Sequence, residues 1–140
     1  MQQEKHAMDY PFAHTTEIRV NYFDTDKMGV VWHGNYIKYF EVAREEMFRD
    51  AGLSYAALEE AGIMMPVVEI GVTYLKPAEY DEILKVESVV ATAPGARIRI
   101  EYTVRNQVGE TNATGFTVLA FINAATRRPC RPPAELRGTR

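Results

Sequence analysis

The sequence predicts an α+β domain in which an antiparallel sheet wraps around one long central helix. Residues 36–51 repeat apolar side chains with a helical period, whereas residues 97–105 alternate strictly between charged or polar and apolar positions. The predicted order is a strand, the long helix, a short helix and four more strands, and 140 residues suffice for one domain. A helix of about sixteen residues is about 24 Å long, so it can cross several strands of the sheet.

The long helix has clear start and stop signals. Asn35 is a suitable N-cap, and Gly52 is a typical glycine just beyond a helix end. A second helix is expected over residues 55–61, with Ser54 as its cap. The apolar face of the long helix consists of Tyr36, Tyr39, Phe40, Ala43 and Met47.

Five segments have the period of two that is typical of half-buried strands. They cover residues 17–22, 68–74, 84–90, 97–105 and, approximately, 110–123. We therefore expect a domain over residues 17–125, a flexible N-terminal arm over residues 1–16, and an extended Arg/Pro-rich tail over residues 126–140.

The composition excludes several classes of function. A net charge of −3 gives no basic surface for nucleic acid or an anionic membrane, and the apolar runs are too short to span a bilayer. The N-terminus lacks the apolar core of a secretion signal, which predicts a cytoplasmic protein. The single cysteine, Cys130, excludes an intrachain disulfide and a CxxC motif. The two serines, Ser54 and Ser88, are not in a GxSxG motif.

Most of the plausible reaction chemistry lies in residues 22–36, directly before the long helix. This segment holds two carboxylates, two glycines, a histidine and two tyrosines. A carboxylate on a turn that faces a helix N-terminus can attack a carbonyl or activate water, and the helix amides can stabilise the resulting oxyanion.

The same residues have plainer interpretations, which the sequence leaves open. Asp24 and Asp26 are common turn formers, and His33 could be a polar residue near a helix start. A calcium loop does not fit, because Met28 stands where a ligand belongs. A zinc site stays open for a set of four side chains without characteristic spacing, namely Asp24, Asp26, His33 and Glu41, but the expected chemistry requires no metal.

The segment resembles the hotdog-fold acyl-CoA thioesterases, within them the 4-hydroxybenzoyl-CoA thioesterase group and its bacterial short-chain branch. The likeness runs from about residue 17 to residue 123. The residues that carry it are Tyr22, Asp24, Thr25, Asp26, Gly29, Val30, Val31, His33 and Tyr36, followed by Tyr39, Phe40, Glu41, Ala43 and Arg44. The resemblance implies a five-stranded antiparallel sheet curled around the helix, with two protomers joined sheet to sheet and acyl-CoA sites at the dimer interface. Such dimers often pair into homotetramers.

The resemblance also implies roles for individual residues. Asp26 would be the catalytic carboxylate, with Tyr22 and His33 assisting it. The turn of Gly95, Ala96 and Arg97 would help to hold the nucleotide end of coenzyme A. The amides expected to polarise the thioester carbonyl are those of Val31, Trp32, His33 and Gly34.

The expected function is hydrolysis of an acyl-CoA to a free acid and coenzyme A, with no cofactor beyond the substrate. An aspartate is ionised at neutral pH, so Asp26 could act as nucleophile or as general base on water. Three alternatives remain open: a carrier-protein thioester as the substrate, a hydratase or dehydratase on the same fold, and a non-catalytic acyl-binding module. The hydratase is disfavoured because Asp26 and His33 are seven residues apart across Gly29. A nucleotide phosphate or an acidic carrier protein could contact three arginines of the tail, Arg127, Arg128 and Arg131, although a solvated tail is the plainer interpretation.

Overall fold

A computed structural model of the chain describes residues 8–138. It contains seven strands, two α-helices and two short 3-10 turns within that range. The helices are α1 (Asn35–Asp50) and α2 (Tyr55–Glu60), and the 3-10 turns cover Tyr22–Asp24 and Ala134–Leu136. The strands are β1 (Phe12–Arg19), β2 (Ile63–Met64), β3 (Val67–Tyr74), β4 (Ile83–Val90), β5 (Arg97–Arg105), β6 (Thr111–Ala120) and β7 (Ile122–Asn123).

Five strands form one antiparallel sheet in the order β1-β4-β5-β6-β3, and β2 pairs separately with β7. The apolar face of α1 packs into the concave side of the sheet. Phe40 is fully buried and stacks on Tyr102 of β5 with ring centroids 4.3 Å apart. It also lies so close to Gly115 that a Cβ there would be 2.6 Å from its ring, which requires glycine at that position. The predicted α+β architecture is confirmed, and burial of each such side chain contributes about 1.5–3 kcal/mol.

The first strand begins earlier than predicted. Residues 12–16, expected in the loose arm, pair with β4 from Phe12 opposite Val90 onward. The alternation is hidden in the sequence because two of the half-buried positions on this edge strand are His14 and Thr16 rather than apolar residues. The strand also ends earlier, at Arg19. Residues 1–7 of the expected arm lie outside the described residues.

The C-terminal segment is not an extended, solvated tail over the part that the structure describes. Leu136 is buried, and its carbonyl accepts a hydrogen bond from the Tyr10 hydroxyl. The Cys130 N–H donates to the Phe121 carbonyl at 2.9 Å, which ties the segment to the end of β6. The high content of arginine and proline hid this packing, because the buried side chains of the segment are only Pro132, Pro133 and Leu136. Residues 139–140 lie outside the described residues.

The helix ends follow their sequence signals, with one exception. Gly52 has a φ of +83° just beyond α1, and the Ser54 hydroxyl accepts a hydrogen bond from Ala57 N–H at the start of α2. Asn35 is not the N-cap, because α1 already begins there and its side chain is used elsewhere. Over residues 8–138, neither helix combines the length and apolarity that crossing a bilayer requires.

Candidate active site

The turn that carries Asp26 is closed by its own backbone. Gly29 N–H donates to the Asp26 carbonyl at 3.0 Å, and Asp26 N–H donates to the Val30 carbonyl at 2.9 Å. Gly29 has a φ of +81°, a conformation that glycine adopts without steric cost. The Asp26 carboxylate accepts one hydrogen bond, from Met28 N–H at 2.8 Å, and the side chain is half-exposed. It is therefore held in place but keeps acceptor positions for a substrate or a water.

Asp24 has the opposite surroundings, since its side chain is only 1% exposed. Its carboxylate accepts hydrogen bonds from Lys38 Nζ, from Tyr39 Oη at 2.9 Å and from Asn21 N–H at 3.0 Å. Burial raises the pKa of Asp24, but these donors outweigh burial and hold the pKa below its ordinary value. The two aspartates of the motif thus differ: Asp24 is buried and fully partnered, whereas Asp26 is accessible.

The backbone carbonyl of Asp24 fixes the start of α1 against the loop. It accepts hydrogen bonds from Trp32 N–H at 2.9 Å and from Asn35 Nδ2 at 2.8 Å. The Asn35 side chain therefore connects the loop to the helix by a hydrogen bond instead of capping the helix. Val31 N–H donates to the Ala78 carbonyl at 2.8 Å, which joins the same loop to the segment after β3.

Replacing Asp24 by asparagine should destabilise the fold by about 2 kcal/mol at pH 7, since a charged hydrogen bond to Lys38 is lost. Because the pKa of Asp24 is lowered in the folded state, its stabilisation is complete above about pH 4 and disappears as the pH falls through that lowered value. Urea unfolding at pH 7 and pH 3 should therefore show a difference between wild type and variant that shrinks in acid. A matched control is Asp81→Asn, whose ion pair with Arg19 is exposed and should cost less than about 1 kcal/mol. A difference that grows in acid would contradict this role of Asp24.

The backbone hydrogen bonds before α1 reduce the set of amides that was predicted to polarise the thioester carbonyl. The N–H groups of Val31 and Trp32 already donate to backbone carbonyls, so they are not free to bind a substrate oxygen. Among the hydrogen bonds of residues 8–138, the N–H groups of His33 and Gly34 have no acceptor. We therefore remove Val31 and Trp32 from the set and keep His33 and Gly34. A Cβ on Gly34 would lie 2.2 Å from the Trp32 ring, so the indole packs directly against this glycine.

Asp26 and His33 line the same cavity, which has a volume of about 280 Å³. Tyr36 and Tyr74 form part of its wall and contact each other edge to face, with ring centroids 5.5 Å apart. Tyr74 Oη donates to the His33 carbonyl at 2.9 Å, which ties β3 to the start of α1. Burial raises the pKa of Tyr36, so its hydroxyl stays protonated near neutral pH. Apolar side chains of Met28, Val30, Val31, Leu75 and Pro77 complete most of the lining.

The sequence analysis placed Tyr74 only at the end of a strand and did not include it among the candidate site residues. Tyr74 lies at the end of a strand, three residues before Pro77. This position is the sequence signal that could have indicated that its side chain lines the site. The strand end meets the helix start only in the folded sheet, so sequence spacing alone does not place the two together.

Two other predicted regions are not brought to this cavity within one chain. Tyr22 lies in a 3-10 turn, is 76% exposed, and contacts Tyr80 edge to face at 5.7 Å. The exposed turn of Gly95, Ala96 and Arg97 lies at the other end of the sheet. Their roles in catalysis and coenzyme A binding stay predictions.

The distance between Tyr74, at the cavity, and the turn that contains Arg97 follows from the strand register. Tyr74 of β3 pairs with Ala113 of β6, and Arg97 of β5 pairs with Ala120 of β6. The two positions are therefore seven residues apart along the direction of the strands. That separation is about 23 Å along the strand, and two strand spacings make it about 25 Å in all.

No three histidine, cysteine or carboxylate side chains come together as a potential metal site in residues 8–138. The zinc arrangement considered from the sequence would have needed Asp24, whose oxygens are already occupied by three donors.

Comparison with known proteins identifies the family of this chain. The sequence profile of the thioesterase-like superfamily matches residues 20–139. This chain belongs to the thioesterase-like superfamily. The match spans the Asp26 turn, α1 and the strands from β3 to β7.

Individual members of the thioesterase-like superfamily are similar over most of their length. The acyl-CoA thioesterase YbgC of Haemophilus influenzae is 33% identical over 122 residues, which are 86% of this chain and 88% of YbgC. YneP of Bacillus subtilis strain 168, provisionally named an acyl-CoA thioesterase, is 37% identical over 94 residues, or 67% of this chain and 68% of YneP. A crystal structure of the DHNA-CoA thioesterase of Staphylococcus aureus is 41% identical, with a TM-score of 0.80 over 85% of this chain and 80% of that one.

These comparisons confirm the predicted resemblance and the hotdog fold. They also confirm that the chain is an enzyme of the thioester hydrolase class. The fold accounts for the position of Asp26, which lies on the loop that leads from the first sheet strand into the enclosed helix.

Proposed function

We propose that the protein hydrolyses acyl-CoA thioesters to a free acid and coenzyme A, with Asp26 as the catalytic carboxylate. The observation that carries the proposal is the shared cavity of Asp26 and His33, in which an accessible carboxylate lies beside the helix start that holds two free amides. The cavity is lined mostly by apolar and aromatic side chains, which suits an acyl group. The names of the similar YbgC, YneP and DHNA-CoA thioesterase proteins support the same activity.

The chemistry can follow two balanced routes. In one route an Asp26 oxygen attacks the carbonyl carbon, the C–S bond breaks, coenzyme A leaves as a thiolate, and water then hydrolyses the mixed anhydride. In the other route Asp26 accepts a proton from a water whose oxygen attacks the same carbon, and the C–S bond breaks as the tetrahedral intermediate collapses. In both routes the negative oxygen would be stabilised by the N–H groups of His33 and Gly34, each such donor being worth about 2.7–4 kcal/mol.

We infer that the active form is a dimer joined through β3. This strand is at the edge of the sheet, and its side chains are unusually exposed for apolar residues, at 45% for Val68, 37% for Ile70 and 48% for Tyr74. An exposed apolar edge strand can pair with a strand of another chain, because its outer N–H and C=O groups are unpaired. Antiparallel pairing of two β3 strands would continue the sheet across both copies and cover these side chains. Pairing of dimers into tetramers stays a prediction, as does the cytoplasmic location.

The dimer would also bring the separated parts of the site together. Antiparallel pairing places the Tyr74 end of one β3 beside the Val67 end of the other. The Arg97 turn of the second copy would then be three strand spacings from Tyr74, about 14 Å, compared with about 25 Å within one chain. A coenzyme A molecule can therefore reach from Asp26 of one copy to the predicted nucleotide turn of the other.

A substrate panel tests the proposed function. Purified protein is incubated with short aliphatic and aromatic CoA esters and with a carrier-protein thioester, and the released thiol is followed with a thiol-reactive dye. We expect catalytic thiol release from CoA esters. Saturable binding without release would identify an acyl-binding module, and water addition to an enoyl-CoA without thiol release would identify a hydratase; either result would contradict the proposal.

A further inference from the structure

A second and larger cleft, with a volume of about 620 Å³, lies between the β4–β5 turn and the C-terminal segment. One wall is formed by residues 93–96, whose sequence Ala-Pro-Gly-Ala offers little side-chain bulk. An added Cβ on Gly95 would meet nothing within 4 Å, so space remains above this turn. The other wall is formed by residues 129–132 together with Arg137 and Gly138.

The described lining of the cleft has a positive charge. Its lining within residues 8–138 includes Arg131 and Arg137 and no aspartate or glutamate. Neither arginine forms an ion pair with another described residue, whereas Arg19, Arg49 and Arg105 each do.

Arg137 is oriented by the fold, since its Nε donates to the Pro132 carbonyl at 3.0 Å. This bond orients the guanidinium, and its other N–H groups have no acceptor among residues 8–138.

We propose that Arg131 and Arg137 bind the nucleotide phosphates of coenzyme A and thereby select coenzyme A esters over carrier-protein esters. Arginine is suited to phosphate because its planar N–H groups can donate two parallel hydrogen bonds. A carrier-protein thioester presents the same pantetheine arm but no nucleotide, so it cannot use these arginines. The inference rests on the proposed function and specifies its donor substrate.

The position of the cleft agrees with the dimer geometry. The cleft shares Gly95 and Ala96 with the predicted coenzyme A turn, whereas Arg97 lines a separate cleft on the other side of that turn. In the β3-paired dimer this end of one copy faces the Asp26 end of the other. The cleft of one copy would then lie beside that copy's predicted coenzyme A turn, at the end where the nucleotide of a coenzyme A bound at the other copy's Asp26 is expected.

The test compares two double variants that remove the same charge. Arg131→Gln/Arg137→Gln removes both cleft arginines, and the matched control Arg127→Gln/Arg128→Gln removes two exposed arginines of the same segment that do not line the cleft. Each variant is assayed with one acyl group attached either to coenzyme A or to N-acetylcysteamine, which has no nucleotide. Arg131→Gln alone provides a second variant, because the Arg131 side chain makes no hydrogen bond to another described residue and its loss should not affect folding.

We expect the cleft variant to raise KM for the CoA ester at least about tenfold, because each phosphate contact of this kind is worth roughly a factor of ten in affinity. Its kcat, and its KM for the N-acetylcysteamine ester, should not change, and the control should behave as wild type. Arg131→Gln should give a smaller rise in KM for the CoA ester alone. An unchanged KM for the CoA ester in both cleft variants, or an equal rise with both substrates, would overturn this inference alone. Absence of hydrolysis of either ester by the wild type would overturn the proposed function as well.

Discussion

Replacing Asp26 by asparagine should lower kcat for a CoA ester at least about a hundredfold, which is the lower end for loss of a general base. The amide has nearly the same shape and can still accept the hydrogen bond from Met28 N–H, so the turn should stay folded. It has neither the negative charge that attacks a carbonyl nor the basicity that takes a proton from water. KM should stay close to that of the wild type, because no substrate-binding surface is removed.

The matched control is Asp50→Asn, which removes an exposed carboxylate at the C-terminal end of α1, the end opposite the Asp26 turn. Its kcat should equal that of the wild type. Thermal unfolding of both variants shows whether each is folded under the assay conditions. Near-normal turnover by a folded Asp26→Asn protein would show that another group performs the chemistry.

Replacing Ile70 by lysine should convert the dimer to a monomer and lower kcat/KM about a hundredfold. A lysine in an edge strand places a charge where a second strand would pair, which is a common way for proteins to prevent such pairing. Ile70 is already 37% exposed in the isolated chain, so the monomer fold should tolerate the change. The loss of activity follows because the nucleotide of the substrate would lose its contacts on the second copy, and poor positioning alone can cost a hundredfold.

Val108→Lys is the matched control for the interface. Val108 is an apolar residue that is 78% exposed in the turn between β5 and β6, so it is not part of the β3 strand. Sedimentation velocity should show a dimer for the control and a monomer for Ile70→Lys. A dimeric Ile70→Lys protein would place the interface elsewhere, and a fully active monomer would show that one chain contains the whole site.

The elements that the sequence predicted well are those whose pattern is strictly local. The period of α1 depends on Tyr39, Phe40 and Met47, all of which are fully buried, and the alternation of β5 is visible without reference to another strand. The start of β1 was missed because His14 and Thr16 occupy half-buried positions on an edge strand, where polar side chains reach solvent.

The part of the candidate site that was predicted is also the part with a local sequence pattern. A turn at Asp26 and Gly29 is a local feature, and the structure has it. The engagement of the Val31 and Trp32 amides was not predictable, because their acceptors are the carbonyls of Ala78 and Asp24, which only the fold brings near. Long-range hydrogen bonds of this kind decide which amides remain free, and they leave no period or spacing in the sequence.

A crystal structure of the Asp26→Asn variant with an unhydrolysed acyl-CoA would test the position of the reacting groups most directly. We expect the thioester oxygen within hydrogen-bonding distance of the His33 or Gly34 N–H, with the carbonyl carbon facing the side chain at position 26. A thioester bound with its carbonyl directed away from both amides, and with the side chain at position 26 outside contact distance, would contradict the assignment of Asp26.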